Sequence, residues 1–196
     1  MISHDLIMSN FAMDISLNAR EKDYIKSLLK YTFVAKNTVL LAAGETCKNI
    51  YFVEKGCLRV FYADQLGIEH NIYFAPKNWW AVDMSSFSKQ SPALSSISTI
   101  EDTIVYFIDY LTLEELYTAV PKFGRFFRVL TQNGFDMYQG QIITGLSQSA
   151  EERYMQFRKQ YPGLEQRITQ KHIASYLGIT PVFLSRIRKR IHLHRM

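Results

Sequence analysis

Cysteine is scarce in this chain of 196 residues, which contains only Cys47 and Cys57. Two cysteines are too few for a disulfide framework and show no paired metal-ligand spacing, so we interpret them as small buried side chains in a reducing compartment. Long apolar runs are also missing, because nowhere do about 18 apolar residues stand together. The first twelve residues lack the pattern of a signal peptide. We therefore expect a cytoplasmic protein without a membrane span.

Catalytic constellations are absent too. We find no carboxylate pair, no nucleophile with an adjacent base and no His-x-His with a third ligand in the strand-rich part of the sequence. His70 stands alone there, and we interpret it as a surface or packing residue. The sequence therefore predicts neither an enzyme nor a metal site.

Positive charge is unevenly distributed along the chain. Residues 149–196 carry ten Lys/Arg against three Asp/Glu, a net charge of +7, whereas the rest of the chain has a net charge of −2. A basic module attached to a nearly neutral one indicates that only the C-terminal part binds a polyanion. Apolar residues make up 47% of the chain, which is enough for a proper core.

Short β-branched and aromatic runs, punctuated by glycine, dominate the middle of the chain. Before them, Asn18 is predicted to cap a helix, with Glu21 three residues on. The runs themselves predict a small antiparallel β-barrel over about residues 35 to 110. They cover residues 38–43, 49–54, 57–64, 68–75, 95–101 and 104–109.

A long helix is predicted after the barrel. A short helix over residues 113–117 is ended by Pro121, which we place at the first position of the long helix. Apolar positions then recur at alternating spacings of four and three, which favours pairing with a second copy, although the same stripe could cover the barrel. Three glycines favour a bend or an interruption. The predicted stripe consists of Phe123, Phe127, Leu130, Gly134, Met137 and Gln141.

Two short helices joined by a tight turn are predicted near the C-terminus. Thr169 caps the first helix and Gly178 ends it, because this position usually needs a positive φ. Thr180 caps the second helix and Pro181 takes its first position. Such a short turn makes the helices cross steeply, as in a helix-turn-helix.

The outward face of the second helix supplies the predicted DNA contacts. At about 100° per residue, Leu184, Ile187 and Ile191 cluster on one side and leave a polar stripe on the other. In this stripe Arg186 can form a bidentate pair with guanine. The predicted DNA-contacting residues are Thr169, Gln170, Thr180, Val182, Ser185, Arg186, Arg188, Lys189 and Arg190.

A domain boundary is expected near Ser147, because Ser149 with Glu152 predicts the start of another helix. Residues 1–147 would form an effector and dimerisation domain, and residues 148–196 a helix-turn-helix DNA-binding domain.

These features resemble the Crp/Fnr transcription regulators over essentially the whole chain. The helix-turn-helix at residues 168–187 carries most of the resemblance, and residues 51–60 (YFVEKGCLRV) are similar to the barrel signature of cyclic-nucleotide-binding domains. The resemblance implies an α+β protein with an N-terminal double-stranded β-helix (jelly-roll) barrel, a long dimerisation helix and a C-terminal winged-helix-like domain. It also implies a homodimer, an effector pocket in the barrel and a two-fold symmetric site on double-stranded DNA. RNA polymerase is a further candidate partner.

The predicted pocket departs from the pattern of the cyclic AMP-binding members, in which an Arg-Ser or Arg-Thr pair neutralises the phosphate. No arginine occurs between Arg59 and Arg125, so we do not expect cyclic AMP to bind in the usual way. The cysteine cluster of the iron–sulfur members is missing as well. An apolar or aromatic effector, loss of sensing, and tryptophans that merely fill the core all remain open. The pocket candidates are Tyr73, Phe74, Trp79, Trp80, Asp83 and Phe87.

The DNA-binding module departs from the resemblance in two places. Only residues 191–196 follow the second helix, so the β-hairpin wing is expected to be truncated or to borrow residues 166–168 as a strand. Val182 replaces an acidic residue that commonly helps relatives to read cytosine. The leading hypothesis is a dimeric DNA-binding regulator. The alternative is a small-molecule-binding module whose helix-turn-helix contacts a protein.

Overall fold

Eight strands and nine helical segments make up the computed structural model, which describes residues 3–193. The strands are β1 (Lys30–Val34), β2 (Val39–Leu41), β3 (Asn49–Lys55), β4 (Cys57–Ala63), β5 (Glu69–Pro76), β6 (Trp80–Ala81), β7 (Ser96–Thr99) and β8 (Thr103–Asp109). The helices are α1 (Asp5–Ala12), α2 (Ala19–Leu28), α3 (Met84–Lys89), α4 (Tyr110–Ala119), α5 (Lys122–Ser147), α6 (Ala150–Gln160), α7 (Gln170–Leu177) and α8 (Pro181–Leu193). A 3₁₀ turn covers Leu164–Gln166.

Two antiparallel four-stranded sheets form the barrel. Their strand orders are β1-β8-β3-β6 and β2-β7-β4-β5, which confirms the jelly-roll prediction. Strands β1 and β6 were not predicted: only Val34 is buried in β1, and β6 has two residues. The barrel therefore starts at Lys30, earlier than expected.

Capping residues set the starts of the predicted helices. Asn18 and Ser149 each form a capping box, with Glu21 and Glu152 respectively, as the sequence predicted. Pro121 takes the N-cap of α5 rather than its first helical position, a difference of one residue. Helix α1, which precedes α2 and has no side-chain cap, was missed.

Gly56 joins β3 to β4 in a conformation that requires glycine. Its φ is 93°, and an added Cβ would lie 2.5 Å from Thr103 Oγ1 and 2.7 Å from the Asp102 carbonyl oxygen. The β8 backbone therefore approaches this turn too closely for any side chain.

The long helix α5 runs for 26 residues without interruption, so the glycines do not break it. Phe123 and Phe127 are buried in the barrel core, and Leu130 and Met137 pack against that core. Phe123 and Phe127 of the predicted dimerisation stripe therefore cover the chain's own barrel, as in the alternative interpretation, whereas a dimer contact of the partly buried Leu130 and Met137 stays a prediction. Gln141, at its end, donates a hydrogen bond to the Ile72 carbonyl oxygen at 3.0 Å.

Of the two alternatives for the wing, the one in which it borrows residues 166–168 as a strand is wrong. Gln166 ends the 3₁₀ turn and Arg167 follows as its C-cap, so residues 166–168 form no strand. The chain after Leu193 lies outside the described residues. Within residues 3–193, no helix is long and apolar enough to cross a membrane.

Candidate nucleic-acid interface

The turn between α7 and α8 is fixed by backbone hydrogen bonds. Gly178 has a left-handed conformation with φ 64° and ψ 36°. Its N–H donates to the Ser175 carbonyl oxygen at 3.2 Å, and the Ile179 N–H donates to that of Ala174 at 3.0 Å. This pair of bonds is the Schellman motif, which ends a helix and redirects the chain.

Side-chain caps start both helices of the motif, as predicted. Thr169 Oγ1 accepts from the His172 N–H at 3.3 Å, and Thr180 Oγ1 accepts from the Phe183 N–H at 3.2 Å. Pro181 is the first residue of α8. The start of α8 is thus defined by local chemistry rather than by distant contacts.

Apolar residues hold α7 and α8 against each other and against α6. One cluster is shared by the three helices, and it confirms the predicted packing of the two C-terminal helices. Its buried members on α7 and α8 are Ile173, Ala174, Leu177, Leu184 and Ile187.

The opposite face of α8 is exposed, which leaves the predicted reading residues accessible. Val182, Ser185, Arg186 and Lys189 all lie on this face. Phe183 is 43% exposed at the edge of this face. It was not predicted as a contact, because it lies four residues before the buried Ile187 and its spacing indicates the buried side. Together these five residues, hereafter the α8 face, form a basic surface with two apolar contacts.

The remaining predicted contacts surround the α8 face. Thr169 and Gln170 are exposed at the start of α7, as is Lys171, which was not among the predicted contacts. Arg188 is half-buried, and Arg190 pairs with Glu151 on α6 at 3.2 Å. An exposed pair of this kind is weak enough for a phosphate to replace the carboxylate.

A polar contact fastens α7 to strand β5 of the barrel. Ser175 Oγ donates to the Glu69 carbonyl oxygen at 2.6 Å and accepts from the Asn71 N–H at 2.9 Å. Asn71 Nδ2 donates to the His172 carbonyl oxygen at 3.1 Å. The first helix of the motif is therefore held by the barrel on one side, while the α8 face stays open.

Charged groups surround His172 at this contact, hereafter the β5–α7 contact. Arg59 on β4 pairs with Glu69 on β5 at 2.5 Å and lies 3.5 Å from His172 Nδ1. Burial lowers the pKa of His172, and Arg59 and Lys171 lower it further, whereas Glu69 opposes them. His172 is consequently neutral in the folded protein at neutral pH.

The predicted effector-pocket residues do not converge on one cavity. Phe74 and Trp79 pack against Tyr161 near the C-terminal helices, the first edge-on and the second tilted, with ring centroids 5.8 Å and 5.4 Å from that of Tyr161. Trp80 packs instead on Phe126 of α5 and donates through Nε1 to Asn10 Oδ1 at 2.9 Å. The aromatic pocket was therefore wrong as a group, and the tryptophans fill interfaces.

Other pocket candidates also have structural roles. Phe87 is buried against Tyr110, with ring centroids 5.7 Å apart. Tyr73 is buried, and its hydroxyl accepts from the Val82 N–H at 3.2 Å. These contacts join the strand-rich core to the segment around α3.

Asp83 occupies the N-cap of α3 with a charged side chain. Its Oδ1 accepts from the Ser86 N–H at 3.0 Å, and its Oδ2 accepts from the Ser95 N–H at 3.1 Å and from Ser95 Oγ at 2.7 Å. Burial raises the pKa of Asp83, but these hydrogen bonds outweigh it and bring the pKa below its ordinary value. The carboxylate therefore accepts the hydrogen bonds that Ser86 and Ser95 donate in this segment.

The residues around α3 do not fit a cyclic phosphate. By the resemblance, residues 79–96 correspond to the segment that holds the phosphate in cyclic AMP-binding members, and here its one basic residue is the exposed Lys89. Asp83 adds a negative charge instead, so a phosphate in this position would be repelled. Within residues 3–193, no group of three or more His, Cys, Asp or Glu is placed to hold a metal ion.

Comparisons with known proteins agree with this architecture. Residues 31–119 match the family model described as the cyclic nucleotide-binding domain. The anaerobic regulatory protein of Pasteurella multocida is 24% identical over 95% of this chain and 72% of its own length. The fumarate and nitrate reduction regulatory protein of Vibrio cholerae is 24% identical over 95% of this chain and 78% of its own.

Solved structures share the fold. FixK2 from Bradyrhizobium japonicum superimposes with a TM-score of 0.75 at 16% identity, over 85% of both chains. A chain from Eubacterium rectale, assigned to the Crp/Fnr family, gives a TM-score of 0.70 at 20% identity and covers 91% of this chain and 85% of its own. This chain and these structures thus share a cyclic nucleotide-binding-type barrel, a long helix and a helix-turn-helix. Residues 31–119 thus match the cyclic nucleotide-binding domain, and in sequence and fold the chain is similar to regulators of the Crp/Fnr type.

Proposed function

We infer that this regulator binds double-stranded DNA in a sequence-specific manner through the α8 face. The inference rests on the two sides of α8. One side is buried in the cluster with α6 and α7, and the other, which carries the α8 face, is exposed. A helix of this kind fits the major groove, where Arg186 can read guanine and Val182 can contact a thymine methyl. We propose residues 148–196 as the DNA-binding domain and residues 1–147 as the domain that controls it without catalysis.

Selection from a random pool of double-stranded DNA tests this function directly. The full chain should enrich one sequence with two-fold symmetry, and its affinity should fall steeply as salt rises, because lysine and arginine contacts to phosphate release counterions. Equal binding to all fragments, or an affinity that does not depend on salt, would contradict the proposal and favour a protein-contacting module.

We propose that the regulator is a homodimer joined by the exposed side of α5. Apolar side chains left uncovered on this helix follow one another at spacings of seven and four. Phe135 is 66% exposed, Ile142 64% and Leu146 85%, so residues 3–193 leave most of each side chain uncovered. A second copy of α5 would cover them in the manner of a coiled coil. Hereafter we call these three residues the outer stripe.

The barrel is proposed to act without cyclic AMP. Asp83 would take the place of the phosphate as the acceptor for the donors of α3 and Ser95, and residues 79–96 contain no arginine that could neutralise a nucleotide. Thermal denaturation of the full chain with and without cyclic AMP tests this. We expect no change in the melting temperature at micromolar nucleotide, and a clear saturable stabilisation would overturn the proposal.

A further inference from the structure

A cavity of about 360 Å³ lies where the barrel, the long helix and the C-terminal helices meet. Residues of β5, α5, α6 and α7 form its walls, and none comes from the segment around α3. Its volume falls in the range of small-molecule sites, roughly 300–1,000 Å³. We call it the junction cavity.

Arg153 is the one charged residue in the wall of the junction cavity. Its Nη1 donates to the Gln148 carbonyl oxygen at 2.8 Å and its Nη2 to that of Leu177 at 3.1 Å. A guanidinium has five N–H donors, so these two bonds leave others for a ligand. The wall contains no carboxylate that could neutralise Arg153.

Neutral polar groups line the rest of the junction cavity. Gln141 Nε2 donates to Tyr176 Oη at 3.2 Å, and Tyr176 Oη donates to Gln160 Oε1 at 3.3 Å. Burial raises the pKa of Tyr176, so its hydroxyl keeps its proton. Phe157 and Leu177 add apolar surface. The lining therefore combines one positive charge with amide and hydroxyl groups and an apolar wall.

We propose that the junction cavity binds a small organic carboxylate. Arg153 faces the carboxylate, because a guanidinium forms charge-assisted and frequently bidentate hydrogen bonds with such a group. The amides and the Tyr176 hydroxyl bind the remaining polar atoms, and the apolar wall covers the carbon skeleton. A bound ligand contacts both the barrel and the α6–α7 region, so it stabilises their present arrangement.

Thermal denaturation of the full chain with acetate, succinate and benzoate tests the proposal, with the neutral acetamide, succinamide and benzamide as matched probes at constant ionic strength. At least one carboxylate should raise the melting temperature in a saturable manner, and its amide should not. The measurement contains no DNA, so it is independent of the proposed DNA binding. The proposal fails if none of the three carboxylates exceeds sodium chloride, or if inorganic phosphate stabilises equally.

A pair of variants with the same change of charge locates the ligand. Arg153 also holds two backbone carbonyls, so its replacement would disturb the fold, and the exposed Gln156 at the cavity wall is changed instead. Gln156→Glu should weaken the apparent affinity at least tenfold. Lys159→Gln, on the same helix but outside the wall, should change it less than twofold. Equal effects of the two variants would overturn the assignment.

Discussion

Arg186 gives the sharpest test of the DNA interface at the scale of single residues. It is exposed on α8, and its bidentate contact to guanine would carry sequence information that a phosphate contact does not. Arg186→Ala should therefore reduce discrimination at one base pair of each half-site by about 1–3 kcal/mol. Binding curves for the selected site and its single-base variants measure this.

Lys189→Ala is the control for that measurement. It removes a neighbouring positive charge, so it should weaken binding to all sequences and reduce the slope of log affinity against log salt by about one. If both variants lose affinity uniformly, Arg186 contacts phosphate and not a base.

Gly56→Ala tests the tight approach of β8 to the β3–β4 turn. The new Cβ would lie 2.5 Å from Thr103 Oγ1 at a positive φ, so we expect a loss of about 2–4 kcal/mol in the free energy of unfolding. Gly67→Ala has a positive φ but nothing within 4 Å, and it should cost about 1 kcal/mol. Urea denaturation measures the free energy of unfolding of both variants, and the difference between them is the cost of the steric clash at residue 56. Equal losses would show that Thr103 moves away and relieves this clash.

Residue-level signals predicted the caps but not the pocket. Thr169, Gly178 and Thr180 act on backbone groups within a few residues, so the chain around them determines their role. Tyr73 and Phe74 are both buried although they point to opposite faces of β5, because that strand is covered on both sides. Alternation, which would reveal the inner face, disappears in such strands.

At the scale of elements, α5 shows what periodicity can and cannot predict. The spacing predicted a helix with an apolar face that includes Phe123 and Phe127, and the structure contains this helix as α5. What covers that face is decided by the position of the barrel, which local spacing does not encode. The helix has a second apolar face, the outer stripe, and this one was missed.

Ile142→Glu tests the role of the outer stripe. Ile142 is 64% exposed in the single chain, so a charge there leaves the fold intact but opposes pairing of two α5 helices. We expect the variant to sediment as a monomer with an unchanged melting temperature at low protein concentration. Phe127→Ala, on the inner face, should instead destabilise the fold by about 3–5 kcal/mol. A wild-type chain that is monomeric at micromolar concentration would exclude the proposed dimer.

At the scale of the whole molecule, the β5–α7 contact could not be predicted. Asn71 and Ser175 lie 104 residues apart, and the helix-turn-helix pattern that contains Ser175 does not indicate a partner on β5. Only the complete fold brings the barrel and the first helix of the helix-turn-helix together. The sequence predicted both parts and their order but not how they are joined.

Acidification should weaken the β5–α7 contact. The pKa of His172 is below its ordinary value of 6.5, so the unfolded chain takes up a proton before the folded one. The contribution of neutral His172 to the free energy of unfolding is therefore fully present above about pH 6.5 and decreases as the pH falls below 6.5. We expect the melting temperature to fall between pH 7 and pH 5, and His172→Asn to flatten that fall. An unchanged profile in the variant would contradict the assignment.

Asp83 has a consequence for how such a regulator can be controlled. Its carboxylate is attached to the chain beside the Ser86 and Ser95 donors, so it competes with any incoming anion as an intramolecular ligand. Even a short flexible tether gives an effective concentration on the order of millimolar, and this concentration does not vary with metabolism. A diffusible nucleotide would have to exceed it to act here. The α3 segment would then not respond to the concentration of a nucleotide, and a small-molecule signal would have to bind elsewhere in the fold.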